Sequence, residues 1–204
     1  MMIDSHCHLD RIDLKPYQNN LDQFMAHLCD EQITHLLSVS IDLDSLPAMW
    51  ELVKEYKNIS ISVGVHPNVE LTTEQEPCVD DLINIAQHKR VVAIGETGLD
   101  YFRSEGDLSW QHQRLRTHIQ AAKELQLPLI IHTREAKQDT LRILQEENAD
   151  QVGGVIHCFT EDWEMANQAM DLGFYISFSG IVTFKNAVSI QDVASRIADN
   201  RFLI

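Results

Sequence analysis

The stretch Ser109-Trp110-Gln111-His112-Gln113-Arg114-Leu115-Arg116-Thr117-His118-Ile119-Gln120-Ala121-Ala122-Lys123-Glu124-Leu125-Gln126, followed after Leu127 by Pro128-Leu129-Ile130-Ile131-His132, decides the fold. Its first part reads as an amphipathic helix, with Leu115, Ile119, Ala122 and Leu125 on one stripe and Arg114, Arg116, Lys123 and Glu124 largely outside it. Pro128 cannot continue that helix, and the apolar run after it reads as a strand ending on a histidine. The same unit recurs along the chain. Apolar runs at about 2–8, 33–39, 59–65, 90–96, 128–132, 153–157, 174–178 and 201–204 alternate with helical periodicity at about 18–31, 43–56, 78–88, 109–126, 136–148, 161–172 and 187–198. Several of the strands are apolar enough to be covered on both faces, as in a parallel sheet. Eight strand candidates with seven helices between them fit an α/β fold of the TIM (β/α)8 barrel type, lacking its final helix, better than an open doubly wound sheet. Residues 1–204 are expected to form a single domain, since no Pro/Gly/Ser linker or change of composition divides them.

Chemistry-bearing residues gather at the C-terminal ends of four of these strands. His6-Cys7-His8 ends the first, and because alternate strand residues point the same way, both imidazoles face one spot. Glu96 ends Val91-Val92-Ala93-Ile94-Gly95-Glu96, His132 ends the Pro128 run, and His157 ends Gly154-Val155-Ile156-His157. A barrel brings such ends to one rim although they are far apart in sequence. Imidazoles with a carboxylate can ligate one divalent ion, or two if the carboxylate bridges. Glu96 is the natural bridge, with His6 and His8 on one ion and His132 and His157 on the other. An imidazole-rich set suits Zn, Mn, Fe, Co or Ni better than Mg, with availability deciding among them. Ions about 3.5–4 Å apart can hold a hydroxide between them and stabilise charge on a phosphoryl or acyl oxygen under attack.

These residues resemble the TatD-type metal-dependent deoxyribonucleases of the amidohydrolase superfamily. The matching stretches are Asp4-Ser5-His6-Cys7-His8-Leu9, Gly64-Val65-His66-Pro67, Gly95-Glu96-Thr97-Gly98-Leu99-Asp100-Tyr101, Pro128 to Arg134, His157-Cys158-Phe159 and Ser179-Gly180-Ile181-Val182-Thr183-Phe184-Lys185-Asn186. The resemblance implies His6, His8 and Glu96 on one metal, and Glu96, His132 and His157 on the other. It further implies a divalent-metal nuclease, many such proteins trimming single-stranded DNA from the 3′ end. The chain departs from the family pattern at Leu115 and His118, where Phe and Gln are frequent, and at Glu161, where Gly is frequent. The family's last strand also runs into Glu-Thr-Asp-x-Pro, whose Asp completes the first metal site, whereas this sequence stops at Ile204. The expectation is therefore a truncated barrel, less active and less stable than one extended through that motif and a final helix.

Around the rim, each residue has a functional and a bland reading. His66, before Pro67, would contact a scissile phosphate or protonate a leaving oxygen, sharing the catalytic role with Glu96, or is a plain loop histidine. Arg134 would pair with a substrate phosphate or with a local carboxylate, Lys185 would touch substrate or be solvated, and Tyr101 and Phe102 would stack on a base or pack over the barrel mouth. Asp100 would brace a ligand or the loop. Cys7 and Cys158, adjoining ligand positions, are expected on the opposite face as small buried hydrophobes, and no C-x-x-C spacing or secretory signal suggests a disulfide. His27, His35, His88, His112 and His118 are expected in surface roles.

A net charge of −15 excludes a broad basic platform for duplex DNA or an anionic membrane, so a phosphate-bearing substrate must be held locally. Single-stranded or frayed DNA is the expected partner, and neither a leader-like start nor a run of about 18 apolar residues is present, which points to a cytoplasmic protein. Two other readings compete: an amidohydrolase acting on a C–N or C–O bond through the same histidines, and a barrel that binds metal or a partner without catalysis.

Overall fold

A computed structural model describes all residues 1–204. Eight parallel strands, β1 (Met2–Cys7), β2 (Ile33–Ser38), β3 (Ile59–Val63), β4 (Val91–Asp100), β5 (Leu129–Arg134), β6 (Gly154–Ile156), β7 (Phe174–Ser177) and β8 (Phe202–Leu203), form one sheet in sequence order. Seven helices cross between them: α1 (Leu21–Asp30), α2 (Leu46–Val53), α3 (Val79–Ala86), α4 (Ser109–Leu125), α5 (Lys137–Glu146), α6 (Trp163–Asp171) and α7 (Val188–Arg196). This is the expected TIM-type α/β architecture, curled into a half-barrel whose ladder runs from β1 to β8 without a β8–β1 pairing. None of the helices is long and apolar enough to cross a membrane.

Alternation along the strands builds two apolar layers. Ile61, Ile94, Leu129, Ile131, Ile156 and Ile176 point to the helices and join the main core of 35 buried residues, where Leu115 and Ile119 of α4 meet them. Val39, Ala93 and Ile130 form a smaller cluster with Leu37 and Val155. Fully burying one Ile or Leu contributes roughly 1.5–3 kcal/mol, so the helix-facing layer dominates stability.

Except at the start of α4, the helices are one to three residues shorter at each end than expected, because periodicity alone does not mark terminal turns. The difference that bears on the site is in β4, expected at 90–96 but running to Asp100 through the pairings Thr97↔Ile131, Gly98↔His132, Leu99↔Thr133 and Asp100↔Arg134. Glu96 is therefore within the strand and not at its end. The register between β4 and β5 slips between Ile94 and Thr97, and such an irregularity re-aims a side chain. Gly98 makes the close pairing possible: at φ +146°, a Cβ there would lie 1.8 Å from the His132 carbonyl oxygen.

Three expectations fail for reasons of packing. Arg114, expected on the outer face of α4, is 2% exposed, because it reaches a loop rather than solvent. His118, expected at the surface, is fully buried beside it. Cys158, expected in the core, is instead half-buried on the rim: β6 ends at Ile156, Cys158 takes φ 46°, and alternation no longer governs where its thiol points. Its Sγ lies 3.1 Å from Ser179 Oγ. Cys7 does point inward as expected, where it packs against the core and donates to the Leu37 carbonyl at 3.4 Å, and burial pushes its thiol up to about 12.

Candidate metal centre

Glu96 occupies the centre of the rim. It is 4% exposed, and both of its oxygens face imidazoles. Oε2 is 3.3 Å from His6 Nε2 and 3.9 Å from His8 Nε2, while Oε1 is 3.3 Å from His132 Nδ1 and 3.8 Å from His66 Nε2. Burial alone would raise the carboxyl, but the His132 and His6 rings directed at its two oxygens hold it well below the usual range. Two donor sets result, His6 with His8 and Glu96, and His66 with Glu96 and His132, each compact enough for its ligand atoms to share one ion.

Hydrogen bonds at the rear of each ring assign the protons. His8 Nδ1 is 2.8 Å from the Val39 carbonyl, to which it donates, leaving the Nε2 lone pair aimed at Glu96. His132 Nε2 is 3.1 Å from Asp100 Oδ2 and donates to it, leaving the Nδ1 lone pair on the Glu96 side. His66 is the reverse case. Its Nδ1 accepts the Asn68 backbone N–H at 3.1 Å, so in the neutral ring the proton sits on Nε2, directed into the site. Burial brings His66 down to about 4 and, with the neighbouring His6 ring, brings His157 to about 3, so both are neutral at pH 7. The inward lone pairs of His8 and His132 beside a buried carboxylate are donors of the kind a divalent transition ion requires.

One atom tests that fit directly. His6 Nε2 is buried and has no hydrogen-bond partner, since its 3.3 Å approach to Glu96 is not aligned for one. A buried polar nitrogen without a partner costs about 1–3 kcal/mol, which a cation between it and Glu96 would offset. The residues present fit a metal.

The five expected ligand positions thus come together, with one difference in detail. His157 stacks flat on His6, with ring centroids 3.4 Å apart and planes at 7°, and it joins neither donor set, while His66 stands in the second. Among the expected substrate contacts, Arg134 at the end of β5 enters none of the chain's ion pairs. Its guanidinium lies 3.7 Å from the centre of the Phe102 ring. Lys185 is exposed on the loop between β7 and α7. Tyr101 is tied down instead: its hydroxyl donates to Asp139 at 2.7 Å and lies 2.5 Å from His112 Nε2, while Phe102 is the exposed ring at this mouth.

Asp100, read from the sequence as a brace for a ligand or the loop, and two residues of α4 that the motifs did not single out hold the site in place. Asp100 is buried, orients His132, and accepts from Asn68 Nδ2 and from the backbone N–H groups of Phe102 and Arg103. Burial would raise its carboxyl, but the Asn68 amide, the Arg103 N–H and His132 hold it below the usual range. Arg114 clamps the loop after β3, donating to the carbonyls of His66 and Val69 at 2.9 Å while Glu76 neutralises it at 2.5–2.9 Å. His118 accepts the Val65 N–H at 3.0 Å and donates to the Arg114 carbonyl at 2.8 Å. Only Asp100, inside the Gly95–Asp100 run, carried a local signal. Arg114 and His118 looked like ordinary helix surface.

With the geometry in view, relatives decide the family. A profile described as TatD related DNase matches residues 3–204. The chain belongs to this family. An uncharacterized metal-dependent hydrolase, YcfH of Escherichia coli strain K12, is 43% identical over 203 residues, covering 100% of this chain and 76% of the relative. YabD of Bacillus subtilis, likewise an uncharacterized metal-dependent hydrolase, is 37% identical over 206 residues, covering 100% of this chain and 78% of the relative. The crystal structure of YjjV, a TatD homolog from Escherichia coli, superposes with a TM-score of 0.85 at 22% identity, covering 99% of this chain and 77% of that one. A TatD family hydrolase from Entamoeba histolytica gives 0.83 at 25% identity, over 98% and 71%. The chain is thus a metal-dependent hydrolase of the TatD family.

Proposed function

We propose that this chain hydrolyses phosphodiester bonds of DNA, removing nucleotides from single-stranded or frayed 3′ ends. His6, His8 and Glu96 would hold one divalent ion, and the other Glu96 oxygen would share a second with His132 and with His157, whose ring lies against His6. Bound there, the ions would supply Lewis-acid stabilisation of a phosphoryl oxygen and a nucleophile at neutral pH. The remaining steps fall to the chain itself. Glu96 keeps its charge at the centre of the rim because the imidazoles around it favour the ionised form. His66, neutral with its proton on Nε2, can donate a hydrogen bond to the developing charge on a leaving oxygen. Arg134, outside every ion pair and held over the Phe102 ring, would offer two parallel N–H groups to a phosphate, and the exposed Lys185 would add a second cation for the same strand.

One observation carries this reading: in a chain of net charge −15, an arginine beside the metal centre is kept out of every ion pair. A cation left unneutralised in that setting suits an anionic substrate gripped at one or two phosphates. A narrow grip of this kind favours an end over a duplex interior. The test is a gel assay with Mn2+ or Zn2+ on a 3′-ended single strand, a blunt duplex and a covalently closed circle. We expect the single strand to be shortened stepwise and the closed circle to persist. Efficient cutting of the closed circle would overturn the end-directed reading, and turnover of amides or lactones with no oligonucleotide cleavage would overturn the phosphodiesterase reading itself.

A further inference from the structure

A separate concavity of about 510 Å3 opens beside His132, and its walls differ in chemistry. Arg134 lies at the metal side, Ile181 and Phe184 form an apolar wall, and Glu161 and Asn186 contribute hydrogen-bonding groups. Its size suits a nucleotide-sized group rather than a water chain. Phe184 is 58% exposed, so one broad apolar surface faces the opening without a packing partner.

Glu161 is the unexplained member. Its Oε1 is buried from solvent yet has no hydrogen-bond partner. The cation that would normally neutralise it is engaged elsewhere, because Lys137 pairs with Asp162 at 2.8 Å and Glu164 at 2.5 Å. Asp162 in turn caps α6 by accepting the Met165 N–H at 3.0 Å. This unmatched acceptor lines one cavity with an exposed aromatic ring and with Arg134, the arginine proposed above to grip a phosphate.

We propose that this cavity seats the terminal nucleobase of the substrate and that Glu161 accepts an N–H from the base edge, favouring the amino-bearing bases cytosine, adenine and guanine over thymine. The inference rests on the nucleotide-directed reading above. Cytosine and adenine present an amino group next to a ring nitrogen acceptor, and guanine presents two adjacent N–H groups. Thymine has one N–H flanked by two carbonyl oxygens, so it sets an acceptor against the buried Oε1. The discrimination belongs to the ionised carboxylate, which accepts two N–H groups from guanine or one amino group from cytosine or adenine, whereas thymine's single N–H brings a carbonyl oxygen on either side. Phe184 would stack on any base without regard to identity.

Release of the terminal nucleotide should be compared on oligonucleotides identical except for a 3′-terminal dC or dT, alongside calorimetric binding of dCMP and dTMP to the same full chain. The expected preference for dC is about five- to tenfold, the effect of one hydrogen bond. In Glu161→Leu this ratio should fall towards one, whereas Phe184→Ala should weaken both substrates by a similar factor and keep the ratio. Equal handling of dC and dT by the unaltered chain, or a ratio unchanged in Glu161→Leu, overturns the subsite while leaving end-directed cleavage standing. If no oligonucleotide is cleaved but dCMP still binds more tightly than dTMP through Glu161, the subsite stands and the phosphodiesterase reading falls. If neither cleavage nor selective mononucleotide binding is seen, both fall.

Discussion

Proton placement, more than residue type, distinguishes the histidines around Glu96. His8 and His132 each spend one ring nitrogen on a fixed acceptor, Val39 O and Asp100 Oδ2, and so turn a lone pair inward, whereas His66 spends its lone pair on the Asn68 N–H and turns a proton inward. Glu96 is the shared member of both donor sets. Glu96→Ala should therefore lower occupancy of both proposed ions together, while His8→Ala should deplete mainly one. Elemental analysis after dialysis checks this, and retention of two ions per chain by Glu96→Ala would sink the bridging role. Asp100→Ala removes the acceptor that fixes the His132 tautomer without touching a ligand. Loss of such a partner typically costs 10–100-fold in metal affinity. Competition against a chromophoric chelator should show a loss in that range, and an unchanged affinity would mean that His132 is oriented by packing alone.

Among the elements, α4 does more than cover the sheet. Its buried face carries Leu115 and Ile119 into the core, yet the same face sends Arg114 and His118 to the loop that follows β3 and holds His66. Arg114 lies under the Trp110 ring, 4.7 Å from its centre, and its charge is met by Glu76. Removing one partner of a buried pair leaves the other charge unneutralised, at a cost of about 3–5 kcal/mol when fully desolvated. Because the Glu76 side chain is 25% exposed, Glu76→Ala should cost less, about 2 kcal/mol after allowance for solvent. Urea unfolding would give that value as a shift in midpoint at constant slope, and a shift under about 0.5 kcal/mol would reduce the clamp to a surface contact.

For the molecule as a whole, buried neutral histidines make stability depend on pH. His118 is fully buried and brought down to about 4 from 6.5 by burial, with the backbone hydrogen bond from its ring opposing the shift. Below pH 6.5 the unfolded chain takes up a proton at this position that the folded chain refuses until about pH 4. The stability contributed is thus complete above about pH 6.5 and is lost as pH falls towards 4, to a total of about 3 kcal/mol. His66 and His157 act in the same direction. Chelator-treated protein should lose stability steadily between pH 7 and 5 in chemical denaturation, and His118→Gln, which keeps an acceptor for the Val65 N–H, should show a shallower slope. An identical slope in the variant would remove His118 from the account.

The architecture and the inventory of the site were legible in the sequence because both are written in local patterns. Apolar runs such as Pro128–Ile131 alternating with helical stripes state a parallel sheet under helices, and residues at strand ends fall on one rim whatever their separation along the chain. His6, His8, Glu96 and His132 could therefore be named without coordinates. What local pattern could not convey was anything set by backbone groups distant in sequence. The lone pair of His8 depends on a carbonyl 31 residues away, and the tautomer of His132 depends on a carboxylate 32 residues away that β4 carries only because Gly98 lets it pair beyond Glu96. Arg114 and His118 are polar residues within or beside the buried stripe of α4, and only the packed loop shows which buried partners they meet. Side-chain spacing along one element decides which residues share a face, whereas proton positions and buried charges are decided by the partners that tertiary packing brings, since a hydrogen bond forms only across a few ångströms of actual space.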